Sequence, residues 1–190
     1  MRTRLFLTLA IVFLVGLLAA DFVRQRHHSA KDVQAGESMQ LKSTSFLDSA
    51  GIPSRYTCDG AGVSPNLQWS GSPASTRSFA LIMHDPDAPV DFTHWVVYNI
   101  PPDAHELAEN ASAGAMPSGS AEGTNGFRKT GYGGPCPPGG KPHHYHFLIY
   151  ALDAKLDLPS GATRQQLESA MKGHIVASGR IVGAYKRGGE

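Results

Sequence analysis

The sequence predicts an all-β domain: an antiparallel β-sandwich with one short late helix, preceded by an N-terminal apolar helix. Three observations predict it. The 190 residues include 21 Gly and 13 Pro, about 18% against the roughly 12% of average usage, which is too much punctuation for a helical bundle. The apolar residues of the body fall into short runs bounded by turn residues, as strands do. One stretch alone carries a helical pattern with its caps. There is no Gly-X-Y period, heptad run or internal repeat, so collagen and coiled coil are excluded.

The elements follow in order. Arg2 and Arg4 precede Leu5–Ala20, sixteen residues without a charge. At 1.5 Å per residue a helix there spans about 24 Å, short of the ~30 Å hydrocarbon core. A basic start and an apolar middle fit a signal anchor or a signal peptide over residues 1–23, and either exports the body. Residues 24–38 lack apolar periodicity and read as a flexible tether. The body, residues 39–190, opens with a loosely alternating Gln40–Phe46. Asn66–Trp69 is short and ends at a turn. Phe79–His84 is continuously apolar, as in a strand buried on both faces. His94–Ile100, His143–Leu152 and Ile175–Tyr185 complete the strand set. Residues 110–140 are rich in Gly, Ser and Pro, a loop long enough to suggest function. The helix is Arg164–Lys172: Thr163 with Gln166 makes a capping box, Leu167 and Met171 lie four apart, and Gly173 closes it.

Charge narrows the function. The formal net charge is +1, but Arg2, Arg4, Arg24 and Arg26 against Asp21 give the leader +3. The remainder is therefore −2, with no basic cluster. Nucleic acid, whose binding rests on phosphate neutralisation, is not an expected partner.

Five of the seven histidines after residue 28 lie near two short motifs. The first is His84-Asp85-Pro86-Asp87-Ala88-Pro89, followed by Phe92-Thr93-His94-Trp95. The second is Gly131-Tyr132-Gly133-Gly134-Pro135-Cys136-Pro137-Pro138-Gly139-Gly140, running into His143-His144-Tyr145-His146. Asp85 ends a buried run, where a carboxylate is costly unless paired. His94 opens the next run, so the two can face each other across a sheet end. The two-residue period puts His143, Tyr145, Phe147 and Ile149 on one face and His144, His146 and Leu148 on the other. A Gly-Pro loop exposes backbone amides, which bind anions. His, Tyr hydroxyl and backbone N–H together favour a small anionic head group. Asp85 and Asp87 would repel it. Either Asp85 raises the pKa of His94 or His143, so that an imidazolium meets the anion, or the ligand carries a cationic end that meets an Asp.

These residues resemble the phosphatidylethanolamine-binding protein family, in its bacterial, Raf kinase inhibitor-like branch. Asp85–Pro89 with His94-Trp95 resembles the family's first motif. Gly134–Gly139 with His143-His144-Tyr145 resembles its second. Tyr56–Gly60, Ser64–Leu67 and Tyr150–Asp153 resemble the bacterial branch, and the likeness covers about residues 38–187. The resemblance implies a β-sandwich with an anion pocket at one end. It assigns that pocket to Asp85, His94, His143 and Tyr145 with the Gly134-Pro135 loop, and makes Ala88–Pro89 a candidate cis peptide. Two departures matter. Eukaryotic members place an Arg where His144 stands, and they carry a C-terminal helix over the pocket. This chain runs on only to Glu190 after its last strand, so the resemblance implies a more open pocket.

The expectation is an exported or membrane-tethered binding protein, held to the membrane through its N-terminal segment. It binds a small anionic or phospholipid head-group ligand without chemistry of its own and needs no cofactor. The alternative is an inhibitor of an exported enzyme or kinase-linked partner, docking an acidic or phosphorylated segment. A hydrolase using Cys136, or the Asp85–His94 pair, is a third class; it also needs an orienting third group and an oxyanion hole. Cys58 and Cys136 are the only cysteines. An even pair in an exported chain fits a disulfide; two free thiols is the other outcome. His144 and His146 would need a third ligand to hold a metal, and no metal is expected.

Overall fold

The computed structural model describes residues 37–188. The expected apolar helix, and all but the end of the expected tether, lie outside the described residues. The chain is mostly β with one short helix. Its strands are β1 (Glu37–Ser38), β2 (Gln40–Lys42), β3 (Ala50–Gly51), β4 (Leu67–Ser70), β5 (Ser78–Asp85), β6 (Phe92–Ile100), β7 (Glu106–Leu107), β8 (Ala121–Thr124), β9 (His143–Leu152), β10 (Gly161–Thr163) and β11 (Ile175–Tyr185). Helix α1 spans Arg164–Met171, between β10 and β11.

The four long apolar runs of the sequence are the four long strands of one large sheet. Its order is β1-β11-β9-β5-β6-β8-β10, with β3 also alongside β11. The long strands pair antiparallel. Three short additions pair parallel instead: β1 and β3 on β11, and β10 on β8. The sheet is therefore mixed, which corrects the wholly antiparallel expectation. Elements of two or three residues carry too little side-chain pattern to announce their direction.

β2, β4 and β7 form a second, three-stranded sheet. One face of the large sheet shares a core with it: Leu41, Leu67, Trp69 and Leu107 pack with Phe79, Leu81, Met83, Trp95, Phe147 and Ile149. Ala80, Ile82, Val96 and Tyr98 form the opposite face, and α1 covers it with Leu167 and Met171. A strand buried on both faces must be apolar throughout, which is why Phe79–Met83 shows no alternation. Thr163 Oγ1 accepts from the Gln166 amide and the Gln166 side chain reaches back, so the capping box forms as its spacing dictates. Gly173 takes φ +81°, the left-handed value that closes the helix.

Residues 110–140 do not form one open loop. Ala121–Thr124 adds β8 to the edge of β6. Among the described residues no peptide bond is cis, so Ala88–Pro89 is trans, contrary to the expectation. No described helix is long and apolar enough to cross a membrane.

Candidate anion-binding site

The site lies where β5 ends, β6 begins and β9 begins, on the face that carries the larger core. Phe79, Leu81, Met83 and Asp85 alternate onto this face from β5. His143, Tyr145 and Phe147 do so from β9. His94 arrives differently. Met83 is opposite Trp95 but His84 is opposite Thr93, so His94 is an extra residue, a β-bulge in β6. A bulge re-aims a side chain. It lets His94 lie on the same side as Trp95, its neighbour in sequence, with its ring 5.1 Å from that of Tyr145.

Asp85 is 3% exposed and its carboxylate is fully engaged. Oδ2 accepts from His143 Nδ1 at 2.7 Å, and Oδ1 accepts from the Asp87 amide at 2.9 Å. The partner of Asp85 is thus His143 rather than His94. The bulge turns His94 towards the loop after β8, where its Nδ1 donates to the Gly133 carbonyl at 2.7 Å. That bond fixes the tautomer and leaves Nε2 as the acceptor nitrogen. Burial pushes the His94 pKa below its ordinary value of 6.5, against the opposing pull of the Gly133 carbonyl and Asp85. The expectation that Asp85 raises it therefore fails for His94, because removal from water outweighs the carboxylate.

Tyr145 is wholly buried, and its hydroxyl has no hydrogen-bond partner. The Asp85 carboxylate and the Cys136 backbone amide come close enough to act on it, but neither meets it in hydrogen-bonding geometry. Burial drives its pKa far up, so the hydroxyl keeps its proton.

Gly134 and Pro135 border the site by packing on the segment after β3. A Cβ on Gly134 would lie 2.9 Å from the Tyr56 carbonyl. The Pro135 carbonyl accepts from the Cys58 amide at 3.1 Å. Beside it Cys58 and Cys136 form a disulfide with Cα atoms 5.4 Å apart. Cys136 therefore holds no thiol, and the hydrolase reading loses its nucleophile. The Asp85–His94 version loses its pair.

The other motif histidines, His84, His144 and His146, alternate away from the site on β5 and β9. His84 Nδ1 donates to Asp91 at 2.6 Å and His144 Nδ1 to Asp87 at 2.7 Å. The bonds from His144 hold the Asp87 carboxyl below the usual range. Both carboxylates that threatened to repel an anion thus carry imidazole partners. No metal-holding group of three or more His, Cys, Asp or Glu occurs among the described residues.

Three residues that shape the site, Ser112, Glu122 and Asn125, lie outside the motifs. Glu122 accepts from Trp95 Nε1 at 2.7 Å and from Ser112 Oγ at 2.6 Å, and Ser112 Oγ accepts from the Tyr132 amide. Tyr132 donates its hydroxyl to the Tyr56 carbonyl at 2.7 Å. The buried Asn125 donates to the Gly131 carbonyl and accepts from the amides of Phe127 and Lys129. A buried amide making three local bonds signals a fixed loop.

Two surface hollows lie elsewhere, one of about 350 Å³ over β2, β4 and β7 and one of about 420 Å³ beside Pro101 and Pro117. Both are wide and shallow. Neither gathers an oriented imidazole and a buried unpartnered hydroxyl, so the sheet end is the stronger candidate.

Comparison with known proteins shows the family. Residues 42–186 match the family model described as phosphatidylethanolamine-binding protein. A UPF0098 protein of Methanothermobacter thermautotrophicus is 50% identical over 152 residues, 79% of this chain and 100% of its own. One from Aquifex aeolicus is 48% identical, covering 80% of this chain and 91% of its own. Among solved structures, Escherichia coli YbcL, described as a new member of the mammalian PEBP family, superposes with a TM-score of 0.75 at 33% identity, over 79% of this chain and 99% of its own. A putative homologue from Chlamydia trachomatis gives 0.73 at 39% identity, over 80% and 100%. With a family model matching residues 42–186 and a relative 50% identical over its whole length, the chain belongs to the phosphatidylethanolamine-binding protein family.

Proposed function

We propose that the protein is a binding protein for a small anion of the phosphate or phospholipid head-group kind. His94, His143 and Tyr145 hold the anion, Asp85 orients His143, and the Gly134-Pro135 loop forms the rim. The observation that carries this is the Tyr145 hydroxyl, buried without a partner beside two oriented imidazoles. Leaving a buried hydroxyl unpaired costs about 1–3 kcal/mol. Such a group calls for a partner, and a ligand oxygen would supply one. The site has no free thiol and no metal set among the described residues, so binding rather than turnover is the role proposed. An exported or membrane-tethered location is part of the same proposal. Its supports are the basic start and apolar run of Leu5–Ala20 and the Cys58–Cys136 disulfide, a bond that persists in oxidising compartments.

Titration of the purified protein with phosphoethanolamine, followed through its histidine NMR signals, tests the site. The imidazole resonances of His94 and His143 shift at millimolar ligand, and those of His105 and His174 stay in place. If His94 and His143 are unmoved, the site is not an anion site.

A further inference from the structure

Among the described residues three large apolar side chains stand exposed: Leu47, Val90 and Phe127. Phe127 is the one in ring contact with the site. Its ring centroid lies 5.6 Å from that of His94 and 4.8 Å from that of Phe92, both edge-on. Phe92 also meets His94, at 5.1 Å. These rings and Tyr145 form an aromatic group around the His94 imidazole. Within it His94 is 3% exposed and Tyr145 is fully buried, whereas Phe127 is 44% exposed. Phe127 is therefore the solvent-exposed member of the ring group packed around His94.

The chain fixes the ring in that position. Asn125 Oδ1 accepts from the Phe127 amide. The Gly126 amide donates to the Thr93 carbonyl at 2.7 Å, and the Gly133 amide to the His94 carbonyl at 2.8 Å. A Cβ on Gly126 would strike the Phe92 ring at 2.5 Å, and one on Gly133 would strike the Phe127 ring at 2.6 Å. Both glycines thus leave the space that the two rings fill. Arg128 takes φ +61°, a strained value for a non-glycine residue, as the loop turns back. A buried ring needs such fixing for packing alone. A half-exposed phenylalanine held this firmly presents an apolar surface to whatever approaches His94.

We propose that Phe127 is the specificity-determining residue of the site. Its ring walls the approach to His94 and Tyr145 and packs against the organic part of the ligand. The site then selects a phosphate that bears an organic group over inorganic phosphate. The assignment rests on the anion-binding reading above and names the residue that sets its preference.

Calorimetric titration of the full chain with phosphoethanolamine and with inorganic phosphate tests it, using wild type, Phe127→Ala and Phe127→Leu. The wild type binds phosphoethanolamine more tightly. Phe127→Ala weakens phosphoethanolamine about five- to tenfold, the scale of one lost aromatic contact, and changes phosphate less than twofold. Phe127→Leu keeps part of the preference. An unchanged melting temperature shows that the variants fold. Equal weakening of both ligands, no weakening of either, or no preference in the wild type overturns the role of Phe127 and leaves the anion site standing. A wild type that binds neither overturns the anion site itself, and this assignment with it.

Discussion

Tyr145 separates stability from function at a single atom. Its hydroxyl is buried without a partner, so the fold bears the desolvation of a polar group for no return in the free protein. Tyr145→Phe removes that cost and keeps the ring against His94. The expected melting temperature is equal to wild type or up to about 3 °C higher, and phosphoethanolamine affinity falls. A variant that melts lower and binds as before would show the hydroxyl to be structural. His94 gives a second test. Its folded pKa is depressed by burial, so its contribution to stability is present above the unfolded value of about 6.5. That contribution is lost as pH falls from there through the folded pKa. An NMR titration should place the His94 midpoint below 6.5, and melting temperature should decline on acidification through that range. Anion affinity should move the other way, because the imidazolium that forms adds charge opposite the ligand. Asp85 and Tyr145 face the same ring, and His84 acts on it from β5. Asp85→Asn removes the nearest opposing carboxylate and should lower the midpoint further. A midpoint at or above 6.5 would contradict the burial account.

At the scale of elements, the tie between two loops decides the rim. The Cys58–Cys136 disulfide closes a separation of 78 residues and joins the segment before β4 to the loop that carries Gly134 and Pro135. Both sulfurs belong to exposed residues, so a reductant reaches them. Cys58→Ser with Cys136→Ser, or reduction, should lower stability by about 2–4 kcal/mol and weaken ligand binding, as the Pro135 carbonyl loses its fixed partner. Denaturant melts with and without dithiothreitol measure this. Identical midpoints would show that the link contributes nothing. The bulge in β6 works at the same scale. Removing His94 from the alternation of its strand puts it beside Tyr145, where a regular strand would send it to the opposite face.

Over the whole molecule, the large sheet separates two tasks. One face carries the larger core and, at its end, the site; α1 seals the other face through Leu167 and Met171. Leu167→Ala should cost about 2–5 kcal/mol and leave phosphoethanolamine affinity within twofold, as read by denaturant melts and titration. A large affinity loss at unchanged stability would mean that the two faces are coupled through the sheet.

The sequence by itself determined the long elements. Phe79–His84, His94–Ile100, His143–Leu152 and Ile175–Tyr185 are legible as strands because burial of a strand demands apolar residues locally. The helix is legible because its cap is a contact over three residues. Its motifs also put His143 and Tyr145 on one face, through the fixed two-residue period. Pairing of distant residues was left to the tertiary structure: His143 with Asp85 across 58 positions, Cys58 with Cys136 across 78, Glu122 with Trp95 across 27. It also decided the parallel edge strands, the trans Ala88–Pro89 bond, the bulge that delivers His94, and the seating of Phe127 over it. Hydrophobic period acts between neighbours and is written in one dimension. Register, bulges and loop contacts depend on which strands meet, and the free energies that choose among them arise only when those strands pack.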